Sequence, residues 1–381
     1  MVTLQNAENA LKSVYLGTVT ELLNTRANPL LAKIEQTSAD VWGKEIRTAA
    51  KFGINGGIGA GDEDGDLPGA YGNNYIQFVT TLKNLYGQIE ISDKAIRASA
   101  DGRGAFTDLL NAELEGLLNA SKFNLGRMLY GDGSGKLCTF SGTTNVKCDN
   151  TRNLIEGLVV DVYSSAGAKK GTARIKYVDR TAKTVTLDNS AITLAAGDAM
   201  YVQGSKDKEI TGIGALFNGT SIYGVEKSAH PFLKPYTKDV DGPIDEIVIQ
   251  EAIDALENDA GSTVDFISCA QDVKYSFIEY MSAYKRNIDF TEIEGGFKTI
   301  SYNGLPLVYD RFVPDGCMYL LNTKAFKLHQ LCDWRFLETE NGKILRQNQG
   351  KPTYTATLVK YCDLICGKPN GQAMLTGIVR Y

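Results

Sequence analysis

Cys317, His329, Cys332, Cys362 and Cys366 offer the ligand types that bind zinc, and His329-x2-Cys332 and Cys362-x3-Cys366 are spacings that ligand pairs can take. The second pair lies in the strand-like run YCDLIC, where positions four apart share a face but stand about 13 Å apart at the rise of a strand. Small buried thiols are the better reading, and no metal site is expected. Cys138 and Cys148 flank a turn-rich stretch and could pair on oxidation, but a cytoplasmic setting disfavours that bond. The string Asp62, Glu63, Asp64, Asp66 has the opening of a calcium loop. Counted from Asp62, the sixth position is Leu67 where such a loop needs Gly, and the twelfth is Asn73 where it needs Glu. A solvated acidic tip, able at most to bridge subunits weakly through a cation, fits better.

The glycines Gly53, Gly56, Gly57, Gly59 and Gly61 could cradle a phosphate. However, no Lys-Ser or Lys-Thr follows them and no amphipathic helix begins there, so they read as a flexible loop tip. A hydrolase triad would have to use His230 or His329, the two histidines of the chain. His230 precedes Pro231 in a loop, His329 sits in the apolar run FKLHQLCDW, and no Gly-x-Ser-x-Gly elbow supplies a nucleophile. No catalytic residue, cofactor or enzyme activity is expected.

The elements that hold these residues are better marked than any site. At 381 residues the chain can form two or three domains. Hydrophobic residues at 43% and charged residues at 22% are ordinary for a globular protein, so dominant disorder is excluded. A net charge of -5 argues against a dedicated nucleic-acid binder, which carries a basic excess. No apolar run reaches membrane-spanning length, and the N-terminus lacks the pattern of a secretory signal, so folding in the cytoplasm is expected. Seven cysteines, an odd number, then default to free thiols.

Met1 to Asp40 reads as an apolar arm, with Leu11, Val14, Leu16, Val19, Leu22 and Leu23 at roughly helical spacing before Asn28-Pro29. Val41 to Gly53 reads as a strand, Ile54 to Asn74 as a Gly-rich acidic tip, and Tyr75 to Ile91 as a returning strand. A two-stranded hairpin of that length is not stable alone in water and needs support from outside itself. Ala105 to Tyr130 carries a broad stripe from Phe106 to Leu129, with acids early and Lys122 and Arg127 late, and makes a helix about 40 Å long. Asn153 to Tyr201 breaks into short β-runs bounded by turn residues, the pattern of a small barrel or sandwich. Ile244 to Asp259 and Asp272 to Asn287 read as helices around the buried strand VDFISCA, and the tail is β-rich.

The order arm, glycine-tipped hairpin, spine helix, mixed domain and β-rich return resembles the major capsid proteins of tailed bacteriophages, the HK-ninety-seven-type fold. TLKNLYGQIEISDKAIRASADGRGAF, Thr81 to Phe106, is similar to the passage from that family's extended loop into its spine helix. NLGRMLYGDGSG resembles the end of the spine helix, TGIGALFN with SIYGVEKSAHPFLKP the re-entry toward the axial domain, and Asn303 to Glu338 the axial segment.

The resemblance implies an α+β chain divided as 1–43 N-terminal arm, 44–91 extended loop hairpin and 92–136 peripheral domain with the spine helix. An inserted β domain at 137–204 is followed by a peripheral return at 205–240, an axial domain at 241–350, and C-terminal strands at 351–381 returning to the peripheral and axial core. It also implies a shell subunit that self-assembles into hexamers and pentamers around packaged double-stranded DNA, in a virion capsid built in the host cytoplasm, with no membrane. Because the sequence starts almost at the arm, a separate scaffolding protein or prior processing is expected. A portal protein and a decoration protein are further partners of such a shell. Gly53 to Gly61, Gly102 and Gly104 would be hinges between capsomer curvatures, and no Lys–Asn cross-link is expected. An encapsulin-type compartment would share the fold, and a ligand-binding protein with a β recognition module is the third reading.

Overall fold

The computed structural model describes residues 28–94, 105–142, 146–284, 290–293, 297–338, 342 and 344–380. The first 27 residues of the arm and the proposed hinge at Gly102 and Gly104 lie outside the described residues.

The long helix spans Ala105–Tyr130. Its stripe Leu114, Leu118, Leu125, Met128 and Leu129 is buried, so one face of the helix is committed to the core along its described length. The strand Lys83–Ser92 lies against it and turns Leu85, Ile89 and Ile91 inward. Gly87, on the same face, lets the helix approach closely: a Cβ there would press on the Leu117 methyl and crowd Ser121. On the helix itself a Cβ at Gly126 would fall on Asn28 Oδ1 and on the Phe312 ring. The start of the described chain and the loop before Val313 therefore converge on one helical turn.

The strand beneath the helix belongs to a sheet centred on the C-terminal strand Thr353–Cys366. That strand pairs antiparallel with Lys83–Ser92 on one side, from Thr353 opposite Ser92 to Cys362 opposite Lys83. On its other side it pairs with Phe326–Phe336, and Glu35–Thr37 adds in parallel beyond that strand.

A seven-stranded sheet forms the second layer, in the spatial order Tyr236–Gly242, Ala373–Ile378, Met318–Leu321, Phe266–Cys269, Leu305–Tyr309, Phe297–Tyr302, Phe290–Ile293. Phe266–Cys269 and Met318–Leu321 are buried at every position, which suits their unbroken apolar sequences to the middle of a sheet covered on both faces. The helices Glu246–Ala260 and Gln271–Tyr284 precede and follow Phe266–Cys269. The first starts on Asp245, whose carboxylate accepts from Val248 N at 2.8 Å, and ends on Gly261 in the left-handed region.

Between helix and second layer stands a six-stranded module, Lys136–Ser141, Lys147–Cys148, Val159–Tyr163, Lys169–Asp179, Thr184–Leu187 and Ala199–Val202. Its two edges meet where Cys148 N donates to Lys183 O at 2.7 Å, so the sheet closes on itself. Leu137, Phe140, Leu154, Val160, Ile175 and Met200 form a core separate from that of the rest of the chain. At its neck Asp207 N donates to Ser134 O at 2.8 Å, and Arg127 on the helix pairs with Glu209, both side chains buried.

The pairing departs from the sequence expectation in three places. Val41 to Gly53 is broken at a turn carrying Gly43 in positive φ, leaving Val41–Trp42 and Glu45–Phe52. Tyr75 to Ile91 is two strands in two sheets. Asn74–Thr81 pairs with Glu45–Phe52, whereas Lys83–Ser92 leaves the hairpin for the C-terminal strand, so the hairpin stops at Leu82 rather than at residue 91. The buried positions change parity across Leu82, Phe78 before it and Leu85, Ile89 and Ile91 after it, but which strand each half pairs with is set by a partner far away in sequence. Third, Phe326–Phe336, placed with the axial segment 241–350, pairs into the sheet under the helix, while Tyr236–Gly242, placed mostly with the peripheral return, joins the other sheet. The second helix ends at Tyr284, and the expected remainder to Asn287 lies outside the described residues.

Candidate assembly surface

Glu45–Phe52 and Asn74–Thr81 form a hairpin in unbroken register, from Glu45 opposite Thr81 to Phe52 opposite Asn74. Eight residues per strand give about 26 Å of reach. Burial falls along it. Ile46 and Phe78 near the base are fully buried, whereas Ile54 and Ile58 are each 74% exposed, Leu67 90%, Tyr71 68% and Tyr75 62%. Residues 53–73 also carry Asp62, Glu63, Asp64 and Asp66 with no Lys or Arg among them. An isolated exposed Leu is ordinary, but several large apolar groups on one protruding acidic loop make a candidate contact surface.

The base is fixed as firmly as the tip is free. Asp363, on the C-terminal strand and fully buried, accepts from Thr80 Oγ1 at 2.5 Å, from Thr211 N at 2.7 Å and from Thr211 Oγ1 at 3.2 Å. Burial holds its carboxyl above the ordinary aspartate range, while the hydroxyl and amide donors and Lys83 pull the other way. Tyr223 ties the same corner through three groups. Its carbonyl accepts from Val79 N at 3.0 Å, its ring packs on Phe78 at 5.3 Å, and its hydroxyl accepts from Cys366 N at 2.9 Å. Further out Phe52 stacks on Phe232 at 4.2 Å. The hairpin is thus held from Asp363 and Tyr223 at its base to Phe232 at its outer end, and residues 53–73 extend past the last of these contacts.

The residues weighed for chemistry scatter. Cys362 and Cys366 are fully buried on one strand, and burial pushes both thiols up to about 12. His329 is buried with Nδ1 at 3.1 Å from Ala39 O, and Cys317 lies by the other sheet with its thiol pushed up to about 11 by burial. Among the described residues no group of three or more His, Cys, Asp or Glu is placed to hold a metal ion. The glycine run Gly53 to Gly61 leads through the tip into a strand, not a helix, so it offers no phosphate cradle. His230 packs edge-on against Phe232 at 5.7 Å. Sequence reasoning missed Asp363, Thr80 and Thr211, because a carboxylate inside YCDLIC gives no local sign of its distant partners.

No protein-family model and no curated protein sequence matches the chain. Solved structures do. A cyanophage A-1(L) capsid asymmetric unit superposes with a TM-score of 0.56 over 96% of this chain and 93% of that one, at 12% identity. The chain has the fold of a phage capsid protein. The holo-SrpI encapsulin of Synechococcus elongatus PCC 7942 superposes with a TM-score of 0.48 over 93% of this chain and 89% of that one, at 10% identity. Mycobacterium phage Bobi gives a TM-score of 0.47 over 92% of this chain and 90% of that one, at 9% identity.

Proposed function

We propose that the chain is the major capsid protein of a tailed phage, a shell subunit that assembles with copies of itself into hexamers and pentamers around double-stranded DNA. The observation that carries this reading is the loop hairpin, anchored at Asp363 and exposing apolar side chains at Ile54, Ile58, Leu67 and Tyr71. Those groups gain from burial at about 25 cal/mol per Å² only when another surface covers them. On a capsid fold that surface is a neighbouring copy, and the four tip carboxylates call for a basic receiving face.

In this reading the helix and the sheet under it are the peripheral domain, the seven-stranded sheet and its two helices the axial domain, and the six-stranded module an insertion. The role is structural, with no catalytic step. A scaffolding protein guides assembly, a portal occupies one vertex, decoration proteins bind outside, and the shell is built in the host cytoplasm and carried in the virion. Negative-stain microscopy and sedimentation of the full chain, alone and with a scaffold, test it. Capsomers or closed shells are expected; a monomer at every concentration with either preparation overturns it, and shells filled with protein cargo instead of DNA redirect it to a compartment.

A further inference from the structure

The module holds a pair of thiols that the shell role does not use. Lys136–Ser141 and Lys147–Cys148 pair antiparallel, with Phe140 opposite Cys148. The ladder continues past the strand end, since Asp149 N donates to Thr139 O at 2.9 Å. Cys138 lies two positions from Phe140 and therefore on the same face as Cys148, one diagonal step away. Both side chains turn into the module core and are 2% exposed. The two thiols are near enough to perturb each other's ionisation.

Each thiol acts on the other: the coupling and burial push Cys138 up, and the coupling lowers Cys148. Cys148 sits at the sheet's seam, where its N bonds Lys183 O, and that position makes it the thiol a small oxidant reaches first. Its strand is two residues long and its other residue, Lys147, is exposed, so local opening admits a small oxidant more readily than it would in a central strand. Cys362 and Cys366, by contrast, are held about 13 Å apart along one strand and cannot meet.

We propose that Cys138 and Cys148 form a redox modification site, a dithiol that a small peroxide converts into a disulfide locking the seam of the module. The Cys148 thiolate attacks one peroxide oxygen, forming a sulfenic acid and releasing hydroxide. The Cys138 sulfur then attacks the sulfenic sulfur. The S–S bond forms, the hydroxyl leaves with the Cys138 proton as water, and the proton that Cys148 gave up on ionising neutralises the hydroxide. Two thiols are oxidised by two electrons in all and one hydrogen peroxide is reduced to two waters. The diagonal pair must draw together, which a two-residue edge strand permits. Such a bond would stay open in a reducing cytoplasm and close once the protein leaves it. The chemistry itself does not depend on the shell reading.

The test is to treat the purified full-length protein with hydrogen peroxide, block remaining thiols and digest with trypsin without reduction. Cleavage after Lys136, Lys147 and Arg152 puts the two cysteines on separate peptides, residues 137–147 and 148–152. Expected is one linked species about 2 Da lighter than the two peptides together, released by reductant and absent in Cys148→Ser. Amide exchange at Phe140 and Cys148 should slow by about a hundredfold, the effect of closing so short a loop. Recovery of both peptides singly blocked, of sulfinic acids on either, or of a link from either to another cysteine overturns the proposal.

Discussion

Two regions protrude from the same chain and are built on opposite principles. The six-stranded module turns Phe140, Leu154, Val160 and Met200 into a core of its own, with at most 2% of any of them exposed. The loop tip turns Leu67, Ile58 and Tyr71 out to solvent. The module closes its sheet edge to edge at Cys148 and Lys183, and its neck is paired at Ser134 and Asp207. The tip has neither closure nor core, and its order comes from a base pinned through Thr80 to Asp363. A segment with a core folds with its own chain, whereas a segment with exposed apolar groups and a rigid base completes its burial on something else. On the proposed shell role, the difference separates what the chain needs for folding from what it keeps for assembly.

The widest test of that difference is to remove each region's apolar content. Replacing residues 54–72 with a tight Asn-Gly turn should abolish shells in negative stain. The urea midpoint of the subunit should stay put, the change being worth within about 0.5 kcal/mol. Phe140→Ala should do the reverse. The module should lose about 3–5 kcal/mol, seen as faster amide exchange at Val160 and Met200, while exchange in Phe266–Cys269 is unchanged. A smaller effect is expected at the hinge of the comparison. Asp363→Ala leaves the Thr80 hydroxyl and Thr211 amide without their acceptor and should cost about 1–3 kcal/mol in chemical denaturation.

The smallest effect is a pH dependence. Because burial raises the Asp363 carboxyl in the folded chain, its favourable contribution is full below the unfolded aspartate value of about 4 and declines as pH rises toward the higher folded value. Asp310, also raised by burial, contributes with the same sign. Asp363→Asn should therefore gain stability relative to the parent as pH is raised from 4 to 8. Urea midpoints for the two proteins that stay parallel across that range would contradict this assignment.

The sequence shows the long helix and the module plainly, because both write their burial locally: a stripe at helical spacing from Leu114 to Leu129, and short alternating runs between turn residues. It shows the tip as glycine-rich and acidic for the same reason. It shows a change of phase between Phe78 and Leu85 but not that the hairpin ends there, since only Thr353–Cys366, some 270 residues away, claims the second half. Nor does it show the anchor. Asp363 sits in a run that reads as an ordinary buried strand, and Arg127 and Glu209 become a buried ion pair only once helix and module neck meet. Local periodicity identifies elements, whereas sheet partners and buried polar pairs are properties of the assembled fold.

Hydrogen exchange measured on the same protein before and after particle formation bears most directly on the account, because it reads both protruding regions at once. Amides of residues 54–72 should exchange freely in the isolated subunit and become protected in the particle, while those of Val160, Ile175 and Met200 are protected in both. A tip that exchanges as fast in the assembled particle as in the monomer would show that the subunits hold together by another surface and would contradict the assembly role given to the loop.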